Sequence, residues 1–331
     1  MSVDTREAPA RPARRASRPL TVLCWLMAAP GLVWAVVRVL GVEWGPLVQL
    51  LAFTPYVAAW SVLPVVLALA LRRWWAVGVA AVAALALLGV VVPRVVPDRG
   101  PAPGGPVLRV LTSNVLAGAA DPAAVLALVR AERVDVLALQ EFTPDAQAAL
   151  DTLGIADVLP HRVTNPLVGT QGSALYSRFP LSDTGIRWND GGFSQAYGTV
   201  AVPDGPGVLA ESVHPAAPYA LSVLDAWRTD LAAQPAATPD GPLRVLAGDF
   251  NATLDHAPLR ALIDTGYVDA AAARGAGLIG TWGPYDGDPI PPVTIDHVLV
   301  DRRIGVRAVA VHPVAGSDHR AVLAELALPA G

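Results

Sequence analysis

The sequence of 331 residues contains one cysteine and no lysine. Because Cys24 is alone, the chain cannot form an internal disulfide, and the lack of further cysteines and of any close histidine pair excludes a zinc site built from these residues. The motif Gly-x-Ser-x-Gly is also missing, so nothing supports a serine nucleophile of that kind. These absences leave carboxylates, amides and imidazoles as the candidates for chemistry.

Charged residues are nearly absent from three long apolar segments that follow one another in the first third of the chain. Residues 20–42, 46–71 and 74–92 are each long enough to cross a hydrocarbon core of about 30 Å, which predicts three transmembrane helices. Arg38 lies close enough to the end of the first segment to reach the membrane interface. The alternatives are a buried helical hairpin and, for the first segment, a cleaved signal peptide.

Arginines flank these segments unevenly. Five of them precede the first segment, and Arg72 and Arg73 separate the second from the third, whereas residues 43–45 carry no positive charge. The positive-inside rule therefore predicts a cytoplasmic N-terminus and an extracytoplasmic location for everything after the third segment. Arg94 and Arg99 weaken this orientation without reversing it. The expected location is the cell membrane, with several crossings.

The rest of the chain divides into three parts. Residues 1–19 are polar and rich in Arg, Ala and Pro, which predicts a disordered cytoplasmic tail, and residues 93–106 have the Pro and Gly content of a semi-rigid linker. Residues 107–331 form the predicted soluble domain. From residue 106 onward the chain has 14 arginines and 24 acidic residues, a net charge of −10. Such a domain lacks the basic surface of a general nucleic-acid binder.

Short apolar runs alternate with helical patterns early in this domain and dominate later, which favours an α/β sandwich over a doubly wound sheet. Asp121-Pro122 and Thr143-Pro144 have the pattern of helix starts. A central strand is predicted from residue 243 to residue 247. We expect Gly248 to turn the chain there, so that the residues after it lie at the edge of the sheet.

Polar residues directly follow several of the predicted strands. Because the strand ends of a layered sheet converge on one rim, we expect these side chains to meet in a single site. They are Asn114, Glu141, His214, the pair Asp249 and Asn251, and the pair Asp318 and His319.

In this order the motifs resemble the endonuclease/exonuclease/phosphatase family, which has the fold of DNase I. The motifs are Ser-Asn114, Gln-Glu141, His214, Gly-Asp249-Phe-Asn251, Thr281-Trp282, Ile-Asp296-His and Ser-Asp318-His319. The resemblance spans about residues 107–328 and implies a four-layered αββα sandwich, here preceded by three transmembrane helices. Two positions depart from the family pattern: Val213 and Pro215 flank the histidine where Thr and Leu are usual, and Ser173 stands where Asn is frequent.

Hydrolysis of a phosphate ester needs a hard divalent cation, an activated water and stabilisation of the leaving oxygen. Glu141 is the first candidate ligand for Mg²⁺ or Mn²⁺, because Mg²⁺ is usually held by one or two carboxylates and by water. Asn114 would add or orient an oxygen, and the resemblance places Asp318 near the metal. The plainer alternatives are that Glu141 starts a helix and that Asn114 caps a turn. Thr281-Trp282 is expected to pack beneath the site.

The resemblance implies catalytic roles for five residues. Asp249 would orient and deprotonate the attacking water, and Asn251 would contact the phosphate. His319 would bind a phosphate oxygen or act as acid and base, oriented by Asp296, and His214 would assist the leaving group. The alternatives are that Asp296 pairs with a surface arginine and that His214 is structural.

These observations predict a membrane-tethered, extracytoplasmic, divalent-metal-dependent phosphoesterase that hydrolyses a phosphodiester or phosphomonoester with an activated water. A phospholipid headgroup or a small phosphoester is the favoured substrate. One alternative is an extracellular nuclease acting on DNA or RNA, which the acidic domain disfavours. Another is an inactive, membrane-anchored binding module. The sequence does not indicate an oligomeric state.

Overall fold

A computed structural model of the chain describes residues 18–98, 104–283 and 290–330, in which a helical N-terminal part precedes an α/β part. Most of the predicted tail and residues 99–103 of the predicted linker therefore lie outside the described residues. The N-terminal helices are α1 (Arg18–Leu40), α2 (Leu47–Leu51), α3 (Thr54–Trp60), α4 (Val62–Ala70) and α5 (Trp74–Val91), which is followed by a short 3₁₀ turn, Val92–Val95.

The long N-terminal helices form an up-down-up bundle. At one end of the bundle, Cys24 of α1 packs with Ala68 of α4 and Ala76 of α5. At the other end, Ala35 of α1 packs with Ala58 of α3 and Leu87 of α5. Helices α1 and α5 therefore run in the same direction, and α3 and α4 run back between them.

The second predicted transmembrane segment is not one helix. Pro55 has no N–H, so the carbonyl of Leu51 four residues earlier lacks its usual helical partner and accepts a hydrogen bond from Thr54 Oγ1 at 2.7 Å instead. The chain bends at residues 52–53, and α2 turns towards the α/β part.

Within the described residues, two helices are long and apolar enough to cross a membrane, Arg18–Leu40 and Trp74–Val95. The middle segment gives a shorter apolar helix, Thr54–Ala70. Three full transmembrane helices are therefore not found, because the first residues of the middle segment belong to α2.

The α/β part contains two six-stranded sheets. Its strands are β1 (Val107–Asn114), β2 (Val136–Gln140), β3 (His161–Asn165), β4 (Ser173–Ser177), β5 (Leu181–Trp188), β6 (Ser194–Val200), β7 (Val208–Val213), β8 (Leu243–Asp249), β9 (Tyr267–Asp269), β10 (Asp296–Asp301), β11 (Gly305–Pro313) and β12 (Arg320–Ala327). Its helices are α6 (Pro122–Ala131), α7 (Pro144–Thr152), α8 (Leu224–Ala232), α9 (Ala257–Asp264) and α10 (Ala270–Ala273).

The two sheets stack face to face, in the orders β11-β12-β1-β2-β4-β3 and β5-β6-β7-β8-β10-β9. Leu108, Val110 and Val245 belong to the apolar core between them. Helices α6 and α7 cover the outer face of the first sheet, and α8 and α9 cover the outer face of the second. The predicted α/β sandwich is confirmed, and its layers follow the order helix, sheet, sheet, helix.

The local signals at the helix starts act as expected. The side chain of Asp121 accepts a hydrogen bond from the Ala123 amide, and Thr143 caps α7 in the same manner.

Gly248 lies within β8 and, contrary to the sequence prediction, does not turn the chain. A Cβ there would come within 1.9 Å of the Val213 carbonyl oxygen, so the close approach of β7 requires glycine.

The helical part packs directly on the α/β part. Asp255, which precedes α9, is fully buried and accepts two hydrogen bonds from Arg94, at 2.6 and 2.7 Å, and one from Arg38 at 3.0 Å. The Arg94 carbonyl in turn accepts from the Gly277 amide. The first residues of the predicted linker are therefore fixed on the α/β part, and Arg38 is bound there as well.

Candidate active site

The strand ends converge on one rim of the sandwich, as the sequence predicts. Strands β1 and β2 are parallel and pair Asn114 with Gln140, and β7 and β8 are parallel and pair Val213 with Gly248. Within each sheet, the carboxyl ends of these two central strands therefore lie at the same edge. Strand β10 starts at this rim, because it runs antiparallel to β8 and pairs its first residue, Asp296, with Asp249.

Asp249 lies at the centre of the site and is buried. Its Oδ1 accepts a hydrogen bond from the Asn251 amide at 2.8 Å, and its Oδ2 accepts one from Asn114 Nδ2 at 3.1 Å. Two imidazole nitrogens, Nε2 of His214 and Nε2 of His319, each lie 3.7 Å from the same Oδ2. Burial raises the pKa of Asp249, and the imidazolium of His319 opposes that rise.

His319 is held by a carboxylate on its far side. Its Nδ1 lies 2.9 Å from Asp296 Oδ2, and this contact leaves Nε2 directed towards Asp249. Burial alone lowers the pKa of His319, but the carboxylates of Asp296 and Asp249 outweigh that effect and raise it to about 10. His319 is therefore a cation at neutral pH.

His214 differs from His319 in its charge. Burial lowers its pKa to about 4, so the ring is neutral at neutral pH. Phe193 packs against it with ring centroids 4.7 Å apart, and its Nδ1 is buried without a hydrogen-bond partner. The site thus places one neutral and one positive imidazole on either side of a single carboxylate oxygen.

Glu141 follows β2 in a left-handed conformation with φ of +57°, which is uncommon for a residue other than glycine. Its Oε1 accepts from Asn114 Nδ2 at 3.0 Å, and its Oε2 accepts from the Ala117 amide at 2.7 Å. One amide group of Asn114 therefore bridges Glu141 and Asp249. The oxygen of Asn114 accepts from the Leu116 amide at 2.9 Å, so in this structure Asn114 orients two carboxylates.

Asp318 lies at the same cavity and uses only one of its two oxygens. Its Oδ2 accepts a hydrogen bond from Trp282 Nε1 at 3.0 Å, whereas Oδ1 is buried and has no hydrogen-bond partner in the part of the chain that the structure describes. Ser317 beside it donates to the Asn114 carbonyl at 2.8 Å and accepts from the His319 amide at 3.0 Å. This turn links the end of β1 to the catalytic histidine candidate.

Asn251 also adopts a left-handed conformation, with φ of +49°. Its Nδ2 donates to the Pro215 carbonyl at 3.1 Å, and its own carbonyl accepts from Trp227 Nε1 at 3.0 Å. Helix α8 and the chain after β7 therefore fix Asn251 at the wall of the cavity.

The site opens into a cavity of about 720 Å³. Glu141, Asp249, Asp318 and His319 line its polar region, together with His214, Asn251 and Trp282. This volume lies in the range of small-molecule sites. The cavity is therefore large enough for a phosphate ester and its nearby groups.

Two sets of side chains could hold a divalent cation. Asp249, Asp296 and His319 place ligand atoms within 4.8 Å of one another. However, His319 Nδ1 is already hydrogen-bonded to Asp296, and Asp249 lies 3.7 Å from Nε2 of the same ring. Glu141 and Asp318 fit Mg²⁺ or Mn²⁺ better, because both present carboxylate oxygens at the cavity and Asp318 Oδ1 has no hydrogen-bond partner among the described residues.

A family model described as the endonuclease/exonuclease/phosphatase family matches residues 111–319. The chain belongs to the endonuclease/exonuclease/phosphatase family. This family consists of phosphoesterases and nucleases with the DNase I fold, so the resemblance read from the motifs is confirmed. Among curated proteins, no sequence matches this chain.

Several solved structures share the fold. An endonuclease/exonuclease/phosphatase from Beutenbergia cavernae is 21% identical, covers 67% of this chain and 72% of its own, and has a TM-score of 0.56. The mannosyl-6-phosphatase of Bacteroides thetaiotaomicron is 18% identical, covers 67% and 100%, and has a TM-score of 0.52. A 3′ phosphatase from Neisseria bound to a product DNA hairpin is 20% identical, covers 66% and 98%, and has a TM-score of 0.51.

The family motifs lie together in the structure, which also shows contacts of Trp282, Thr281 and Ser173 that the sequence did not predict. Trp282, expected only to pack, donates a hydrogen bond to Asp318 and lines the cavity. Thr281 accepts from the Asp296 amide and so fixes the start of β10. Ser173 is buried and accepts from the Ala196 amide, and it does not line the cavity.

Proposed function

We propose that the chain is a membrane-tethered, extracytoplasmic hydrolase of phosphate esters that depends on Mg²⁺ or Mn²⁺. The observation that carries the proposal is the arrangement around Asp249, whose Oδ2 lies 3.7 Å from both His214 and His319 and shares the amide of Asn114 with Glu141. A carboxylate, an imidazolium and a second carboxylate within reach of one bound phosphate match the needs of hydrolysis by water.

Asp249 is the proposed base. Burial raises the pKa of its carboxyl, which favours uptake of a proton, while the positive charge of His319 and the hydrogen bonds from the Asn251 amide and Asn114 oppose that rise. The carboxylate can then orient a water molecule and accept its proton as the water attacks phosphorus. The bond between phosphorus and the ester oxygen breaks on the opposite side, and the leaving oxygen takes up a proton from solvent water.

His319 is proposed to bind a non-bridging phosphate oxygen. Because Asp296 and Asp249 keep the ring positively charged, Nε2–H can donate a charge-assisted hydrogen bond that strengthens as negative charge develops. Asn251 is proposed to contact the phosphate from the same wall. His214 is neutral and can assist the leaving group by a hydrogen bond without adding charge.

Glu141 and Asp318 are the proposed metal ligands, with Asn114 orienting the Glu141 carboxylate. A divalent cation, when bound, supplies positive charge that stabilises phosphate oxygens in the transition state. Each oxygen of Glu141 accepts only one hydrogen bond in the structure, so both retain a lone pair for this purpose.

The proposed tether consists of the N-terminal helices. Helices α1 and α5 bury mainly small residues against their neighbours and leave large apolar side chains exposed, as lipid-facing helices do. Arg72 and Arg73 lie at the end of the bundle away from the α/β part, and the positive-inside rule places that end in the cytoplasm.

A phospholipid headgroup or a small phosphoester is the proposed substrate. The net charge of −10 from residue 106 onward disfavours a long nucleic acid, whose phosphates it would repel. Nuclease activity is the second candidate, because the Neisseria relative was solved with a DNA hairpin. An inactive binding module is the third. Hydrolysis rates on plasmid DNA, phospholipids and sugar phosphates would separate these candidates.

The test uses the full chain in detergent with Mg²⁺. We expect Asp249→Ala and His319→Ala each to lower the hydrolysis rate by about 10²–10⁴-fold, because each removes a group that acts on the reacting atoms. Matched controls are Asp225→Ala, whose side chain is 98% exposed, and His312→Ala in the edge strand β11, whose side chain does not line the cavity, and both should keep the wild-type rate. Equal rates in all four variants would contradict the proposal.

A further inference from the structure

Part of the active-site cavity is walled by residues that lie outside the family region, 111–319. Val48, Gln49, Ala52 and Phe53, from α2 and the bend after it, line the cavity that also contains Asp249 and His319. The N-terminal helices therefore do more than anchor the α/β part, because α2 and the bend after it complete the wall of the active-site cavity.

This wall is fixed on the α/β part. Val48 is fully buried in the core cluster of α8 and α9, and its carbonyl lies 2.7 Å from Nε2 of His256. Gln49 Nε2 donates to the Pro218 carbonyl at 2.7 Å. The wall is thus held by both apolar packing and polar contacts, and its cavity-lining side chains keep a defined position.

This wall is apolar, unlike the end of the cavity that contains Asp249 and His319, which we call the reactive end. Ala52 and Phe53 share it with Ile290 and Val293 from the segment before β10, and none of these side chains can bind a phosphate. A second cavity of about 290 Å³ shares Ala52 and Val293 with the first.

The second cavity extends the apolar region along helix α3. Pro55, Tyr56 and Ala59 line it on the helical side, and Leu278 lines it on the α/β side. The guanidinium of Arg94 at its edge is engaged by Asp255. The second cavity therefore adjoins the first at Ala52 and Val293 and lies against α3 of the helical part that we place in the bilayer.

We propose that the apolar wall and the adjoining second cavity together form a binding subsite for the hydrocarbon chain of a lipid phosphate ester taken from the bilayer. The inference rests on the proposed function, which places a phosphate at Asp249 and His319, and it adds the chemical class of the group beyond that phosphate. Burial of each methylene of such a chain strengthens binding by about fourfold. Helix α3 connects the subsite to the membrane, so the chain need not cross water.

The test compares 4-nitrophenyl esters of methyl, butyl and octyl phosphate, which share one leaving group, with the full chain and Mg²⁺. We expect kcat/KM to rise at least tenfold from methyl to octyl. Phe53→Ser should lower the octyl-to-methyl ratio at least tenfold, and so should Val293→Thr, which keeps the shape of the side chain and serves if Phe53→Ser does not fold. Leu50→Ser, at an exposed position of α2 outside the cavity, is the matched control and should keep the wild-type ratio.

The outcomes separate the subsite from the proposed function. Hydrolysis of the methyl ester with an octyl-to-methyl ratio near one would overturn the subsite and leave the hydrolase. No hydrolysis of any ester would overturn the hydrolase first. In nanodiscs of dioleoylphosphatidylcholine, the hexadecyl ester should also be hydrolysed; turnover of the octyl ester alone would contradict the bilayer as the source.

Discussion

The helical part and the α/β part place large and small apolar residues in opposite ways. In α1, Leu26 is 67% exposed and Ala28 is 2% exposed, and in α5, Leu85 is 71% exposed and Ala84 is 5% exposed. In the α/β part the large residues are inside, and Leu108 of β1 is fully buried. This difference supports the proposed membrane tether, because a lipid environment favours helices with large apolar side chains outside.

The boundary between the helical part and the α/β part contains a buried group of ion pairs. Asp255 of the α/β part is fully buried and binds Arg38, near the end of α1, and Arg94, just after α5. These two arginines come from parallel helices, so one carboxylate joins both long helices to the domain. A flexible tether would not need such a contact, and the chain therefore holds its site at a fixed position relative to the bundle.

The largest effect should follow from breaking this boundary. Asp255→Ala leaves two guanidinium groups buried without their partner, and removal of one partner of a buried ion pair costs about 3–5 kcal/mol. We expect the full chain in detergent to lose that much in free energy of unfolding. The control Glu325→Gln breaks the half-exposed pair with Arg109 and should cost less than about 1 kcal/mol. Equal losses in the two variants would contradict the account.

A pH titration tests the same boundary without a large change in packing. Burial alone raises the pKa of Asp255, but Arg94 and Arg38 outweigh it, so the net pKa in the folded chain lies below the unfolded value of 3.8. The stabilisation is therefore complete well above pH 3.8 and is lost as the pH falls through the folded value. The unfolding difference between wild type and Asp255→Asn should stay constant from pH 7 to pH 5 and shrink below pH 4. A difference that shrinks between pH 7 and pH 5 would contradict the assignment.

A smaller effect on stability should distinguish the buried face of α1 from its exposed face. Ala28→Leu adds volume to a packed helix interface and should cost about 1–3 kcal/mol. Leu26→Ala removes an outward side chain and should change stability little, since lipid and detergent tails are as apolar as leucine. Unfolding in dodecyl maltoside would measure both. A larger loss for Leu26→Ala would place that face inside a protein core.

The sequence predicts the central strands well because both faces of these strands are buried. Strand β2 is a continuous apolar run up to Leu139, and β8 is one from Val245 to Gly248. Strands β3, β5 and β9, which lie at sheet edges, are harder to recognise from sequence. Edge strands alternate less and carry exposed polar residues, such as Ser182 and Asp183 in β5, or are only three residues long, as in β9.

The candidate site residues are predictable because each lies at or near one end of a strand in a recognisable motif, but the boundary with the helices is not. Asp255 lies in a turn, and its partners Arg38 and Arg94 are 217 and 161 residues away in the chain. No local pattern connects such distant groups. The sequence therefore assigns Arg38 to the membrane interface, whereas the structure pairs it with Asp255. The apolar wall contributed by Phe53 depends on the same tertiary contact.

The most direct test of the central claim is the hydrolysis rate of the full chain after metal removal. We expect EDTA to abolish hydrolysis of a phosphate ester and Mg²⁺ or Mn²⁺ to restore it, because Glu141 and Asp318 would then hold the cation beside Asp249 and His319. Full activity in EDTA would contradict the proposed mechanism.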